Sequence, residues 1–178
     1  MVARAADRSK DNPLGDQLGI GTTYKIDWRQ RPGMAILDLI RGLEIELTHT
    51  TEVPIAILLQ SRGDSLEVTP LPYIRSTIHR MLQAASSLQP RPILIWADIP
   101  PFGEEAKLIT PNNWENKCKK LNRIARGAAL ACGGDCVPNV IGPEQYWLFT
   151  KGRSHYLSST GLDCLLAAWA GHLQELLL

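Results

Sequence analysis

Two short, uncharged apolar runs restrict the fold of this sequence more than any other feature. They span residues 54–59 (PIAILL) and 93–97 (ILIWA). A strand that is apolar at every position, rather than at every second one, suits a sheet that is covered on both faces, as parallel sheets are. The two runs therefore predict buried strands of a parallel sheet flanked by helices.

Amphipathic helix patterns alternate with these strand patterns. Apolar residues recur at helical spacing in residues 34–47, 71–85, 114–128 and 162–176, and Gly133-Gly134 is expected to end the third helix. Period-2 alternation predicts a strand over 20–28, a weaker strand is predicted over 136–141, and 142–158 is predicted to be a loop. The strand–helix order, repeated four times, predicts an α/β fold. We expect a three-layer α/β/α, flavodoxin-like arrangement with a parallel sheet of about four strands and right-handed crossovers.

Length and charge limit the domain organisation and the classes of partner. Residues 1–19 are expected to be weakly structured, and residues 20–178 to form a single domain. The chain has 19 Lys and Arg against 18 Asp and Glu, which does not favour a nucleic-acid binder or a membrane partner. No apolar run approaches the roughly 18 residues that span a bilayer, and no secretory signal is recognisable, so a cytoplasmic location is expected.

The four cysteines are expected to be reduced thiols. Cys132-Gly-Gly-Asp-Cys136 has a spacing that zinc could use, but no second close pair of Cys or His completes a ligand set. We therefore predict no metal site and no cofactor.

Residues 62–66 contain two familiar short motifs, RGDS and GDSL. The first is shared with integrin ligands, but so short a match is frequent by chance and no export signal accompanies it. The second names a lipase and esterase family in which the serine follows the first strand. Here it follows a later strand, so neither literal match identifies a function.

A hydrolytic site is nevertheless one hypothesis for the loops at the carboxyl ends of the strands, where α/β sheets bind ligands. Ser65, His155 and Asp64 are the candidates for nucleophile, base and acid, and Ser158 and Asp98 fall on the same predicted edge. Such a site needs a base hydrogen-bonded to the nucleophile and an acid that orients the base. Sequence order alone does not show these contacts.

The third predicted helix has one strongly basic face. Its cations are Lys117, Lys119, Lys120, Arg123 and Arg126. They are the candidate residues for a nucleic-acid accessory role, but no aromatic residues that could stack on bases lie between them. The favoured interpretation is the solvated face of an amphipathic helix.

Six segments, in the right order along the chain, resemble the SGNH-hydrolase-like (GDSL-type) esterase domain of vertebrate transposon-derived proteins. They are residues 13–20 (PLGDQLGI), 28–34 (WRQRPGM), 55–64, 93–100 (ILIWADIP), 119–123 (KKLNR) and 155–163 (HYLSSTGLD). The resemblance implies an α/β esterase scaffold.

The departures from that family imply a degenerate site. The family's first strand and the nucleophilic serine that ends it have no counterpart, so the chain resembles an N-terminally truncated member. Gln30 stands at the family's oxyanion glycine and Gly63 at its oxyanion asparagine, while Arg153 and Tyr156 stand at the acid and the base. The resemblance therefore implies a catalytically inactive mobile-element remnant that acts as a binding or interaction module. An active esterase using Ser65 and His155, or a nucleic-acid accessory module, are the alternatives.

The missing strand also has a structural implication. In the family it lies between the strands that match residues 20–28 and 55–59. These two strands must then pair directly, or a partner must insert between them, because unpaired buried backbone groups are costly. Self-association or a strand-donating partner is therefore expected, although no particular partner is identified.

Overall fold

The computed structural model describes seven stretches of the chain. They are residues 18–19, 36–49, 53–60, 70–101, 114–142, 144–150 and 153–178. The chain divides into two compact units. One comprises Gly33–Ile99 and Asn113–Pro138, and the other comprises Met1–Pro32, Pro100–Asn112 and Asn139–Leu178.

The first unit contains a parallel sheet and three helices. Its elements are α1 (Ile36–His49), β1 (Ala56–Leu59), α2 (Leu71–Ser86), β2 (Ile93–Ala97), α3 (Trp114–Ala131) and β3 (Asp135–Val137). The strand order is β1-β2-β3, and both neighbouring pairs are parallel. The predicted α/β class and the two strands of a parallel sheet are confirmed. The predicted burial holds for β2, whereas in β1 only Leu59 is buried and the other three residues are half-buried.

The middle strand β2 forms the centre of this unit. Leu94 and Trp96 on one face of the strand, and Ile95 and Ala97 on the other, are almost completely buried. Helix α2 contacts both α1 and α3. The strands β1, β2 and β3 follow one another across the sheet in chain order. Right-handed crossovers between such strands place the connecting helices on the same face of the sheet, which accounts for the contact between α2 and α3.

Local sequence signals begin and end these helices. Pro70 is the extended residue at the N-terminus of α2, and a second proline lies in its first turn, where a missing N–H costs nothing. Helix α3 ends at a left-handed glycine, Gly133, with φ of 67°. The Gly133 N–H donates to Leu130 O (2.9 Å), and the Gly134 N–H donates to Ala129 O (2.9 Å). This glycine-dependent helix end confirms the prediction for Gly133-Gly134.

Strand β3 is shorter than predicted. The sequence predicted a strand over residues 136–141, whereas the structure has Asp135–Val137. Pro138 has no N–H to continue a ladder, and the Asn139 side chain bonds both the N–H and the C=O of Ile141. The apolar residues beyond Val137 therefore lie in an irregular segment.

The second unit contains a small antiparallel pair and the last helix. Its elements are a 3-10 helix (Tyr146–Leu148), β4 (Phe149–Thr150), β5 (Arg153–Leu157) and α4 (Ser159–Leu177). Ser158 caps α4, since its Oγ accepts the Gly161 N–H at 3.1 Å. Serine is among the residues that favour this position, because its short side chain reaches a free backbone N–H of the first turn.

The prediction of a loop over residues 142–158 is wrong, because β4 and β5 lie within it. Strand β4 has only two residues, too few for an alternation pattern to be recognised. The available signal was Lys151-Gly152, a glycine-containing pair between Phe149-Thr150 and the RSHYL segment.

Several expectations concern residues that the structure does not describe. The predicted strand over 20–28 and most of the N-terminal segment 1–19 lie outside the described residues. In the described part, the parallel sheet has three strands, so the four-stranded sheet, the three-layer arrangement and the single domain over 20–178 stay predictions. None of the helices in the described part combines the length and the apolarity needed to cross a membrane.

Candidate functional site

The carboxyl ends of β1 and β2 bring polar residues together at one edge of the sheet. Gln60 follows β1 directly, and Asp98 follows β2 directly. Gln60 Nε2 donates a hydrogen bond to the backbone oxygen of Asp98 at 3.2 Å. Because ligands of α/β sheets bind at this edge, these residues define the candidate site.

Asp98 and Arg126 form the central ion pair of this site. Arg126 Nε donates to Asp98 Oδ1 at 2.8 Å, and Arg126 Nη2 donates to Asp98 Oδ2. The Asp98 side chain is 2% exposed and that of Arg126 is 40% exposed. The hydrogen bond to Asp98 raises the pKa of Arg126, although partial burial opposes this effect. Both carboxylate oxygens are therefore engaged by a permanently charged guanidinium.

Asn122 holds the next residue of the same chain segment. Its side-chain amide donates to Ile99 O at 3.1 Å, and its Oδ1 accepts the Ile99 N–H at 3.0 Å. Asn122 lies one helical turn before Arg126 on α3, so both face the same segment. The N–H of Asp98 also donates to Val137 O at 3.0 Å. The end of β2 is thus fixed to α3 and to β3.

The Cys136 thiol is electrostatically coupled to this ion pair. Burial raises the pKa of Cys136, and Asp135 and Asp98 raise it further, while the positive charge of Arg126 partly opposes the shift. Since the thiolate is the nucleophilic form, the raised pKa keeps Cys136 protonated and unreactive near neutral pH. Cys136 and the other three cysteines are free thiols, of which Cys118 is buried and Cys164 exposed.

The basic face of α3 is less uniform than its sequence indicates. Lys119 Nζ lies 2.8 Å from Glu115 Oε1, and Arg126 is held by Asp98. Lys120 and Arg123 are exposed, whereas Lys117 is half-buried. The assignment of Arg126 to a solvated face therefore needs correction, because a buried acceptor lies opposite its guanidinium.

The proposed hydrolytic residues are only partly described. Ser65, Asp64, Gly63 and Gln30 lie outside the described residues. Arg153, His155 and Tyr156 lie in β5, whose backbone is described without these side chains, so the Ser65–His155 contact stays a prediction. The structure places them in a strand rather than in the predicted loop.

Ser158, another serine on the predicted edge, has a structural role. Its hydroxyl donates to Trp147 O at 3.2 Å and accepts the Gly161 N–H at the start of α4. The proton of this hydroxyl is thus directed to a backbone oxygen, whereas a nucleophilic serine directs it to a base.

Sequence patterns indicated Asp98 and Arg126 separately but not their contact, and they gave Asn122 no role of its own. The signal was an acidic residue directly after a buried strand, together with Asn and Arg at i, i+4 spacing on an amphipathic helix. Helical spacing shows that two residues share a face, but it does not show which backbone or carboxylate lies opposite them.

Comparison with known proteins adds no assignment. No protein-family model matches this chain, and no curated protein sequence matches it. Among the described residues, no group of three or more His, Cys, Asp or Glu side chains is placed to hold a metal ion.

Proposed function

We propose that this chain is a non-catalytic α/β domain of the SGNH-hydrolase-like type that acts by binding rather than by hydrolysing esters. One observation carries the proposal: the buried carboxylate of Asp98 is bound through both oxygens by Arg126. A hydrolytic relay needs a carboxylate that accepts a hydrogen bond from an imidazole and stabilises its positive charge. The charge of Asp98 is already balanced by a guanidinium, which weakens it as the acid of such a relay.

The strand order supports the choice of scaffold. A flavodoxin-like sheet has the order 2-1-3-4-5, in which the last three strands are neighbours in chain order. The order β1-β2-β3, with all strands parallel, fits that part of such a sheet. The contact between α2 and α3 fits the successive right-handed crossovers of the same part.

The residues at the family's catalytic positions support the loss of activity. Arg153, at the acid position, carries the wrong charge to stabilise an imidazolium. Tyr156 replaces the base, and Gly63 lacks the side-chain amide that would donate to an oxyanion. Loss of one oxyanion donor alone slows such enzymes roughly a hundred-fold or more.

The proposal includes a cytoplasmic location. None of the four cysteines forms a disulfide, which fits a reducing compartment. The nucleic-acid alternative gains nothing from the contacts of α3, because Lys119 and Arg126 are in ion pairs with Glu115 and Asp98.

Hydrolysis of p-nitrophenyl acetate tests the proposal. We would compare the unmodified chain with Ser65→Ala and His155→Ala, the two substitutions that disable a rearranged esterase. Ser76→Ala is the matched control, because Ser76 is an exposed serine whose hydroxyl only bonds Tyr73 O.

Equal background rates for all four proteins are expected. Turnover by the unmodified chain that is lost in Ser65→Ala and His155→Ala, but kept in Ser76→Ala, would overturn the proposal and establish the active esterase. Thermal melting of each variant separates loss of chemistry from loss of fold.

A further inference from the structure

The outer edge of β1 carries backbone groups that no described residue binds. The Ile93 N–H donates to Ile55 O at 2.9 Å, and Ala56 is the register partner of Ile93. In a parallel ladder, alternate residues direct both backbone groups toward the neighbouring strand. Ile57 therefore bonds β2, whereas the N–H and C=O groups of Ala56 and Leu58 point away from it.

The outer edge of β3 differs. Asp135 is the register partner of Ile95, and the Asp98 N–H donates to Val137 O, so the Cys136 N–H points away from β2. Asp135 Oδ1 accepts this N–H at 2.7 Å. The carboxylate therefore already binds the N–H that an added strand would need as a donor, and its negative charge also opposes strand addition.

The segment around β1 lacks such protection. Residues 53–60 contain no Asp, Glu, Lys or Arg. The side chains of Ala56, Ile57 and Leu58 are only half-buried, in contrast to those of β2, and Ile55 is 60% exposed. An apolar, uncharged strand whose outward backbone groups have no partner among the described residues is a template for another strand.

We propose that β1 is a self-association edge, on which β1 of a second copy pairs in antiparallel orientation about a two-fold axis. Ala56 of one copy would lie opposite Leu58 of the other, and the two three-stranded sheets would join into one of six strands.

A second copy fits this edge for two reasons. Because residues 53–60 are uncharged, two copies meet without like-charge repulsion, and their half-buried apolar side chains match each other. A two-fold pairing also stops at the dimer, because it covers the β1 edges of both copies at once. The edges of the joined sheet are then the two β3 strands, which Asp135 protects. This inference holds whether or not the chain hydrolyses esters.

The test combines oligomeric state with amide hydrogen exchange. Light scattering over a concentration series of the whole chain should show a monomer that becomes a dimer as concentration rises. Over the same series, exchange at the Ala56 and Leu58 amides should slow, while exchange at the Cys136 amide should not change, because Asp135 already binds it.

Ala56→Pro is the informative variant. Proline removes only the outward N–H at this position and is tolerated on edge strands, so the β1–β2 ladder survives. Ala56→Ser keeps the N–H and is the matched control. We expect Ala56→Pro to be monomeric and Ala56→Ser to dimerise like the unmodified chain.

Three outcomes would overturn the proposal. One is an unmodified chain that stays monomeric throughout the concentration series. This includes the case in which the Ala56 and Leu58 amides exchange slowly even in the monomer, because another part of the same chain binds them. Another is a dimer that Ala56→Pro does not weaken. The third is a dimer whose Ala56 and Leu58 amides exchange as fast as in the monomer, a result that does not depend on how well the variants fold.

Discussion

The two outer strands of the parallel sheet are joined to β2 by the same kind of ladder, yet their surroundings differ. On the β3 side, the outward N–H of Cys136 is bound by Asp135, and Asn122 and Arg126 hold the residues that follow β2. On the β1 side, the side-chain hydrogen bond found among the described residues is that from Gln60 Nε2 to Asp98 O. Polar side chains thus protect and brace one side of the sheet, while the other depends on backbone pairing and apolar burial.

This difference shows how few residues decide whether a sheet edge is closed. Asp135 and Cys136 are adjacent in sequence, and one carboxylate both satisfies a donor and places charge at the edge. The segment that contains β1 has no charged residue with which to do the same. We therefore expect substitutions on the β3 side to change stability and substitutions on the β1 edge to change association.

The largest effect is expected when the buried ion pair on the β3 side is broken. Arg126→Met removes the guanidinium that binds both oxygens of the buried Asp98 carboxylate and should lower the free energy of unfolding by about 3 kcal/mol. Urea denaturation measures this loss. Lys119→Met is the control, because its pair with Glu115 is exposed (70% and 44%) and its loss should change stability by at most about 0.5 kcal/mol. Equal stability of the two variants would show that the buried pair does not brace this side.

A smaller loss is expected from Gly134→Ala, at the entrance to β3. A Cβ at Gly134 would overlap the backbone oxygen of Leu94, so the backbone must shift, at a cost of about 2–3 kcal/mol. Gly127→Ala on exposed α3 surface is the matched control, because a Cβ there meets nothing and should stabilise the helix by up to about 1 kcal/mol. Melting temperatures that shift in opposite directions would confirm the close approach, and an unchanged Gly134→Ala variant would exclude it.

Opening the β3 edge should have a still smaller effect. Asp135→Ala removes the acceptor of the Cys136 N–H and should cost about 1 kcal/mol, with faster hydrogen exchange at the Cys136 amide. Asp135→Asn keeps an oxygen at the same position and should restore most of the protection. If exchange is the same in both variants, the carboxylate does not close this edge.

The smallest effect concerns the reactivity of Cys136. Because burial raises its pKa, Cys136 should react with iodoacetamide more slowly than the exposed Cys164 at pH 8, as mass spectrometry would show. The pKa of this thiol is higher in the folded state than in the unfolded chain, where it is about 8.5. The contribution of the thiol to the free energy of unfolding is therefore fully present below about pH 8.5 and decreases as the pH rises above it. Cys136→Ser should remove that decline. Faster labelling of Cys136 than of Cys164 would contradict the shift.

Sequence patterns predicted the elements whose signals are local and long enough to repeat. The apolar runs at β1 and β2, and the helical spacing of α2 and α3, each contain enough residues for the period to be recognised. The two-residue strand β4 has no period, so its pairing with β5 was missed. Pro138 ended β3 earlier than apolar alternation had indicated.

The candidate site was predictable in its location but not in its contacts. A parallel sheet places chemistry at its carboxyl edge, so Asp98 was expected there from the position of β2 alone. Its engagement by Arg126 was not expected, because helical periodicity shows which residues share the polar face but not which of them meets an acceptor.

The sequence by itself determined the α/β class, the strands β1 and β2, the glycine that ends α3 and the serine that caps α4, since each depends on neighbouring residues or on a short repeat. Only the tertiary structure decided that Asp98 is neutralised by Arg126, that Asn122 holds Ile99, and that Asp135 binds the outward N–H of Cys136. It also decided that the outward groups of Ala56 and Leu58, at the other edge, have no partner among the described residues. These features depend on distances between residues far apart in the chain, such as the 28 positions that separate Asp98 from Arg126. Chain folding sets such distances, and no local pattern encodes them.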